Sequence, residues 1–304
     1  GRANAGRTTQ HHGDNPMLTA RPQLAAAVAA GALYLAPGAA HAAQSYDNCT
    51  GFIDSVPATI TTQGTWCLRK DLGTAITSGN AITIATNNVT IDCNDFKIGG
   101  LAAGNESGAY GIYAANVQNV TVRHCNVRGF RNGIRILSGA GHLVEDNRLD
   151  NNLHYGIQVV NGANSLVQRN RVHDTGGRPT AAGATGIEAD ADVIGNTVSG
   201  VFGVYMNSSA TGIRAGTAAT VRDNRVRGLE PQGSGVGAGI KLVDAGAMVD
   251  GNHVAGGDTT NVPGAAIGGS ASPVSPDIAC SNNVVSGFMN GFHACVDAGG
   301  NTWL

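Results

Sequence analysis

The chain has 304 residues, a formal net charge of -2, 45 glycines and only 13% charged residues. Glycine without a strict Gly-x-y period excludes collagen, scarce Glu, Lys and Leu argue against a coiled coil, and the near-neutral balance argues against a charge-driven nucleic-acid binder. A hydrophobic share of 42% is too high for wholesale disorder, and Gly, Asn, Val and Ala with little charge predict many short strands joined by tight turns.

Residues 1–16 precede Met17 and read as upstream sequence outside the fold. A secretory signal is expected over 17–42. Arg21 supplies a weak basic start, residues 24–35 form an apolar run too short to span a membrane, Pro37 and Gly38 break it, and Ala40-His41-Ala42 fits a small-x-small cleavage site. No later run reaches 18 apolar residues, so no membrane span is expected. The mature chain, 43–304, keeps 16 basic and 20 acidic residues, and its bulk field attracts no anion. Residues 43–57 predict an N-terminal cap. Ile60, Trp66, Leu68, Leu72, Ile82 and Ile84 predict the first coil.

All six cysteines lie in the mature part. An even count in a secreted or periplasmic chain fits disulfides, and six cysteines allow 15 connectivities. Nearness in sequence favours Cys49–Cys67 and Cys280–Cys295, which would pin the two ends against fraying. No CxxC spacing points to zinc or redox chemistry.

The remainder repeats itself. An apolar-x-x-Asn-x-apolar pattern recurs at intervals of 19 to 31 residues, with Asn94, Asn147, Asn170, Asn196, Asn224, Asn252, Asn282 and Asn301 at its centre and Cys125 in place of Asn at one copy. Between these copies runs Gly-apolar-x-apolar, opening at Gly111, Gly133, Gly156, Gly186, Gly212, Gly239 and Gly291. Ile267 is the expected inward residue of the degenerate copy. Each unit holds two or more short strands and no helix, so it buries its apolar face only by stacking on its copies. Parallel stacking at about 4.8 Å gives an inner apolar column and an Asn ladder at a turn, where left-handed backbone is tolerated. The reading is an all-β, right-handed, single-stranded parallel β-helix of nine or ten coils. A leucine-rich repeat also carries an Asn ladder, but its Leu positions and near-constant period are absent.

The two patterns resemble the repeats of the pectate-lyase-like superfamily of right-handed β-helix proteins. The segment Pro57-Ala-Thr-Ile-Thr-Thr-Gln-Gly-Thr-Trp-Cys-Leu68, followed by Asn88-Val-Thr-Ile-Asp-Cys-Asn94, is similar to the opening of exported bacterial members. The resemblance covers about residues 58–304. It implies the fold, and an activity drawn from polysaccharide lyases, glycoside hydrolases, uronate epimerases, tailspikes and adhesins, among which fold does not choose.

Outward positions of the second pattern predict one exposed row: Tyr113, Arg135, Gln158, Glu188, Arg214, Lys241, Gly268 and His293. A long polar row suits an extended glycan. Lyases and epimerases must stabilise a carbanion beside a uronate carboxylate and must take its proton. Glu188, Arg214 and Lys241 are the candidate catalytic residues. Glu188, Asp190 and Asp192 are candidate oxygen ligands for Ca²⁺ if the chain is a lyase, and otherwise no cofactor is expected. Paired aspartates followed by Gly-His-Gly, as in polygalacturonases, are absent, which lowers a hydrolase reading. Tyr113, Arg135 and Gln158, with Arg148, Arg171 and Arg225 from a basic stripe beside the Asn pattern, are candidate substrate contacts. The expected partner is an acidic polysaccharide, with nucleic acid disfavoured by the few stacking aromatics. The competing reading is a non-catalytic adhesin or carbohydrate-binding module. A dense run of unlike outward residues favours an enzyme, and uniform rows favour a module.

Overall fold

The computed structural model describes residues 46–243, 246–257, 262–269 and 278–304. The expected upstream segment and signal, 1–42, lie outside the described residues, as do residues 43–45 of the expected cap.

Within 44–304 the described chain winds through three parallel sheets. Sheet A has eleven strands, from Gly51–Phe52 to Val296–Asp297, and carries the approach to each Asn. Sheet C has ten, from Leu72–Gly73 to Thr302–Trp303, and follows the Asn turn. Sheet B has ten, from Ala58–Ile60 to Phe288–His293, and carries the Gly-apolar-x-apolar motif. Each strand pairs with its copies on the turns before and after, which is the stacking the repeats require. Leu101–Ala103 is a single 3-10 turn. No helix among the described residues is long and apolar enough to cross a membrane.

The core is one column. Ile112, Ile134, Ile157, Ile187, Ile213, Ile240 and Ile267 stack from sheet B, and Val122, Val144, Val167, Val193, Val221 and Val249 stack from sheet A. Every one of them is fully buried. The motif glycines mark where sheet C closes on sheet B. A Cβ on Gly156 would overlap Val172 Cγ1, and one on Gly186 would overlap Val198 Cγ1. The apolar residue after each Asn therefore fills the space a side chain would need.

The Asn ladder runs through Asn147, Asn170, Asn196, Asn224, Asn252, Asn283 and Asn301. Asn196 Oδ1 accepts from the Asn170 N–H at 2.9 Å and from Asn170 Nδ2 at 3.0 Å. Asn196 Nδ2 donates onward to Asn224 Oδ1 at 3.1 Å and back to the Val167 carbonyl at 2.9 Å. The residue before each rung, such as Asp146, Arg169, Gly195 and Asp223, takes the positive φ, so the ladder Asn itself does not.

That geometry corrects two expected positions. Asn282 holds the positive-φ site and bonds outward to Asp250 Oδ1 at 2.9 Å, leaving Asn283 as the rung. The register Val249↔Cys280 and Val254↔Val285 shifts the expected Ala279/Val284 pair by one residue, which reverses inside and outside. Asn94 also has positive φ and donates to the Leu68 carbonyl at 3.1 Å. The chain takes seven residues from Ile91 to Ile98 but five from Val122 to Val127, so the turn at Asn94 is wider than the pattern assumes. Cys125 occupies a rung, its N–H donating to Asn147 Oδ1 at 3.0 Å, and is bonded to Cys93. The other disulfides are the expected Cys49–Cys67 and Cys280–Cys295.

Candidate functional site

Register places Tyr113, Arg135, Gln158, Glu188, Arg214, Lys241, Gly268 and His293 in one row on sheet B. A second row flanks it, formed by the residue before each motif glycine, Tyr110, Asn132, Tyr155, Thr185, Thr211 and Ala238, and continued by Ala265 of the degenerate copy. Both rows are crowded from the Tyr110–Gln118 strand to the Ser209–Ala215 strand. From the Lys241 strand on they thin to Ala238, Ala265 and Gly268, before Asn290 and His293 on the last strand.

A bonded chain runs along the crowded part. Asn132 Nδ2 donates to Gln158 Oε1 at 2.8 Å, and Gln158 Nε2 donates to Glu188 Oε2 at 2.6 Å. Arg214 Nη1 donates to Glu188 Oε1 in an ion pair. Glu188 is 7% exposed and has both oxygens engaged. Upstream, the Arg135 guanidinium lies 4.7 Å from the Tyr110 ring centroid and donates to its hydroxyl. Tyr110 in turn stacks on Tyr113 at 5.6 Å.

At the edge of these rows the connections from sheet C bring up a cluster. Arg131 and His154 occupy equivalent places on successive turns, with the His154 N–H donating to the Arg131 carbonyl at 2.9 Å. Arg178, in the connection before the Gly183–Ala189 strand, donates Nη1 to the Ser107 carbonyl at 2.6 Å. That bond reaches from its own turn past the turns of His154 and Arg131 to the one before Tyr110–Gln118. Burial first, then the charges of Arg131, Arg178 and Arg135, push the His154 imidazole down to about 4. It is neutral at neutral pH. Burial first, then the charge of Glu188, raises the Tyr155 phenol, which stays protonated. The two rings lie 4.2 Å apart. Arg131 Nε, Arg135 Nε, His154 Nδ1 and Asn132 Oδ1 are buried with no hydrogen-bond partner among the described residues. The charges of three arginines thus act on one imidazole, while Glu188 is already paired with Arg214. The corner gathers positive charge around a neutral imidazole and a protonated phenol.

The family model for the right-handed β-helix region matches residues 73–254, more than half of the chain. The chain belongs to the right-handed β-helix family.

No curated protein matches the sequence. Similar solved structures include the Dettilon tailspike protein, at 14% identity and TM-score 0.43 over 82% of this chain and 56% of that one. The A-module of a mannuronan C-5 epimerase of Azotobacter vinelandii has 10% identity and TM-score 0.47 over 82% and 83%. A pectate lyase has 13% identity and TM-score 0.45 over 80% and 60%. The chain therefore spans little more than half of the tailspike.

In this right-handed β-helix the expected contact residues divide between two sheets. Tyr113, Arg135 and Gln158 share sheet B with Glu188, Arg214 and Lys241, whereas Arg148, Arg171 and Arg225 stand on sheet C. Other members of the basic stripe are neutralised: Arg123 by Asp92 at 2.8 Å, and Arg169 by Glu145 at 2.5 Å and Asp146 at 2.8 Å. Glu188, Asp190 and Asp192 do not converge. Asp190 sits in the turn after the Gly183–Ala189 strand and accepts from the Asn161 N–H at 2.8 Å, while Asp192 opens a sheet A strand and accepts from the Thr220 N–H at 2.8 Å. Among the described residues no group of three or more His, Cys, Asp or Glu is placed to hold a metal ion. The expected donors do not fit Ca²⁺, which takes six to eight oxygens at one point.

Sequence reasoning missed Arg131, His154, Tyr155, Asn132, Tyr110 and Arg178. For five of these the signal was present, since they stand one or two places before a motif glycine. Arg178 lies in a connection with no repeat to fix its register.

Proposed function

We propose that this β-helix binds an acidic polysaccharide along the outward face of sheet B and modifies it by proton transfer, in the manner of a lyase or an epimerase. The observation that carries the reading is the charge of Arg131, Arg135 and Arg178, none of them ion-paired among the described residues, acting on neutral His154 beside protonated Tyr155. A uronate carboxylate set against the guanidinium groups has its charge offset, and so does the carbanion formed beside it. Burial and then the arginine charges hold the His154 imidazole down to about 4. Once the bound carboxylate offsets those charges, His154 accepts the proton from the carbon next to that carboxylate, and Tyr155 gives its proton to the leaving oxygen or to the opposite face of that carbon. Glu188, held by Arg214 and Gln158, positions the row rather than reacting. Lys241 and Tyr113 extend the glycan-binding face. Three disulfides support an exported protein. The unlike residues crowded into part of the row favour an enzyme over a uniform adhesin surface.

The test uses alginate, pectate and glycosaminoglycans in heavy water. An epimerase places deuterium beside the carboxylate, and a lyase yields an unsaturated product absorbing in the near ultraviolet. His154→Asn should abolish either signal and spare binding. Binding by the native chain with neither signal would leave a non-catalytic module.

A further inference from the structure

Sheet C carries a cationic face separate from the site on sheet B. Two outward rows cross it, one with Lys97, Arg148, Arg171 and Arg225, the next with Arg128 and Arg227. Asp150 is the one carboxylate in these two rows, and it is taken by Arg128 at 3.2 Å. Lys97 is paired with Asp71 at 2.9 Å. The remaining four arginines are exposed and form no ion pair among the described residues.

Arg148 and Arg171 are direct register partners, so two like charges stand one strand spacing apart. Like charges facing each other across a strand pair repel and destabilise unless something neutralises them. They border a groove of about 560 Å³, which Asn126 and Thr197 also line. Two acids reach this groove: Asp146, which is held by Arg169, and Asp95 at the far end.

We infer that sheet C is a second polyanion-binding face, which takes a linear acidic polysaccharide running along the helix axis. A strand lying that way meets Arg148 and Arg171 on adjacent turns and Arg225 two turns further, beyond Thr197. The two rows from Asn126 to Arg227 hold no large apolar side chain to enter a bilayer and no Phe, Tyr or Trp to stack on bases. That favours a glycan over a lipid surface or a nucleic acid. Only the class of ligand rests on the reading of sheet B. With both faces filled, one molecule bridges two polysaccharide strands.

Two variants separate the faces. One carries Arg148→Gln, Arg171→Gln, Arg225→Gln and Arg227→Gln, and the other carries Arg131→Gln and Arg178→Gln. Each is titrated at low salt with polygalacturonate, dextran sulfate and phosphatidylglycerol vesicles, following affinity and light scattering from cross-linked complexes. The native chain should cross-link at least one of the two polymers. The sheet C variant should lose cross-linking and about tenfold in affinity, yet keep one-strand binding. Cross-linking that survives in the sheet C variant overturns the inference, and so does a preference for vesicles over both polymers. Loss of all binding in the sheet B variant alone would also overturn it and leave the proposed function standing. Loss in the sheet C variant alone would uphold it and remove the sheet B reading.

Discussion

Sheets B and C are stacked by the same register, and both turn arginines outward, yet the two sets are built differently. On sheet B, Arg214 is locked to buried Glu188 and Arg135 donates to the Tyr110 hydroxyl, while Arg178, from the connection beside it, donates to the Ser107 carbonyl. On sheet C, Arg148 and Arg171 stand in the open with no ion-pair partner among the described residues. The repeat supplies a row in both cases. What differs is the connection entering each strand: the turns from sheet C into sheet B bring Arg131, His154 and Arg178 over the edge of the row, and these residues have no counterpart on sheet C. The periodic row repeats one kind of position, whereas the non-repeating turns bring unlike side chains beside it.

The largest effect that would sharpen this contrast lies beneath both faces. Asn224→Leu removes the acceptor of the Asn196 N–H and Nδ2 and the donor to the Val193 carbonyl. The expected loss is about 4 kcal/mol, since each buried group left unpaired costs about 1–3 kcal/mol. Arg225→Ala, one residue on, should change the urea midpoint hardly at all. The same contrast should separate Asn283→Leu from the milder Asn282→Leu, and equal losses would break the register given above.

Next comes the pair on sheet B. Arg214→Ala strands the Glu188 carboxylate with only Gln158 beside it and should cost about 3 kcal/mol in chemical denaturation. A cost no larger than that of Arg148→Ala would erase the difference between the two faces.

A somewhat smaller effect follows pH. His154 is neutral in the fold down to about 4, against an ordinary value of 6.5 when unfolded. As pH falls below 6.5 the unfolded chain takes up the proton first, so stability that is complete above 6.5 is lost progressively toward 4. The loss is roughly 2–3 kcal/mol. His154→Phe should remove that component from the difference between melting curves at pH 7 and pH 4. An identical pH dependence in both proteins would show that the imidazole is not buried among the arginines.

The smallest expected effect is on sheet C. Arg171→Ala should shift stability by less than about 0.5 kcal/mol, or raise it slightly by relieving Arg148. A clear destabilisation would mean that Arg171 has a structural partner.

The outward row was legible because each motif glycine anchors a strand whose side chains alternate, so the phase of Arg135, Gln158 and Glu188 is fixed. The ladder was legible except where the local sequence offered two phases. Ser281-Asn282-Asn283 fits the pattern one residue early or late, and only the backbone sign at Asn282 decides. Near Asn94 a wider turn broke the spacing. The cluster was half legible: Tyr155 and His154 precede Gly156 directly, but nothing in the repeat says that Arg178 reaches back to Ser107. The Ca²⁺ set failed because Glu188, Asp190 and Asp192 straddle a turn between two sheets, so closeness in sequence did not become convergence in space.

The Asn ladder also has a direction. From Asn147 to Asn283 each rung donates an amino hydrogen to the amide oxygen of the next, so every rung from Asn170 to Asn301 turns its oxygen to the turn before. Seven side-chain dipoles are therefore aligned head to tail along the axis, and each polarises the next. Their positive end emerges at Asn301, whose Nδ2 meets Asp297 Oδ1 at 2.5 Å. The Gly299 N–H first, and then Asn301, hold that carboxyl below the usual range. The stack ends on an anion, as a helix N-terminus does on a bound carboxylate.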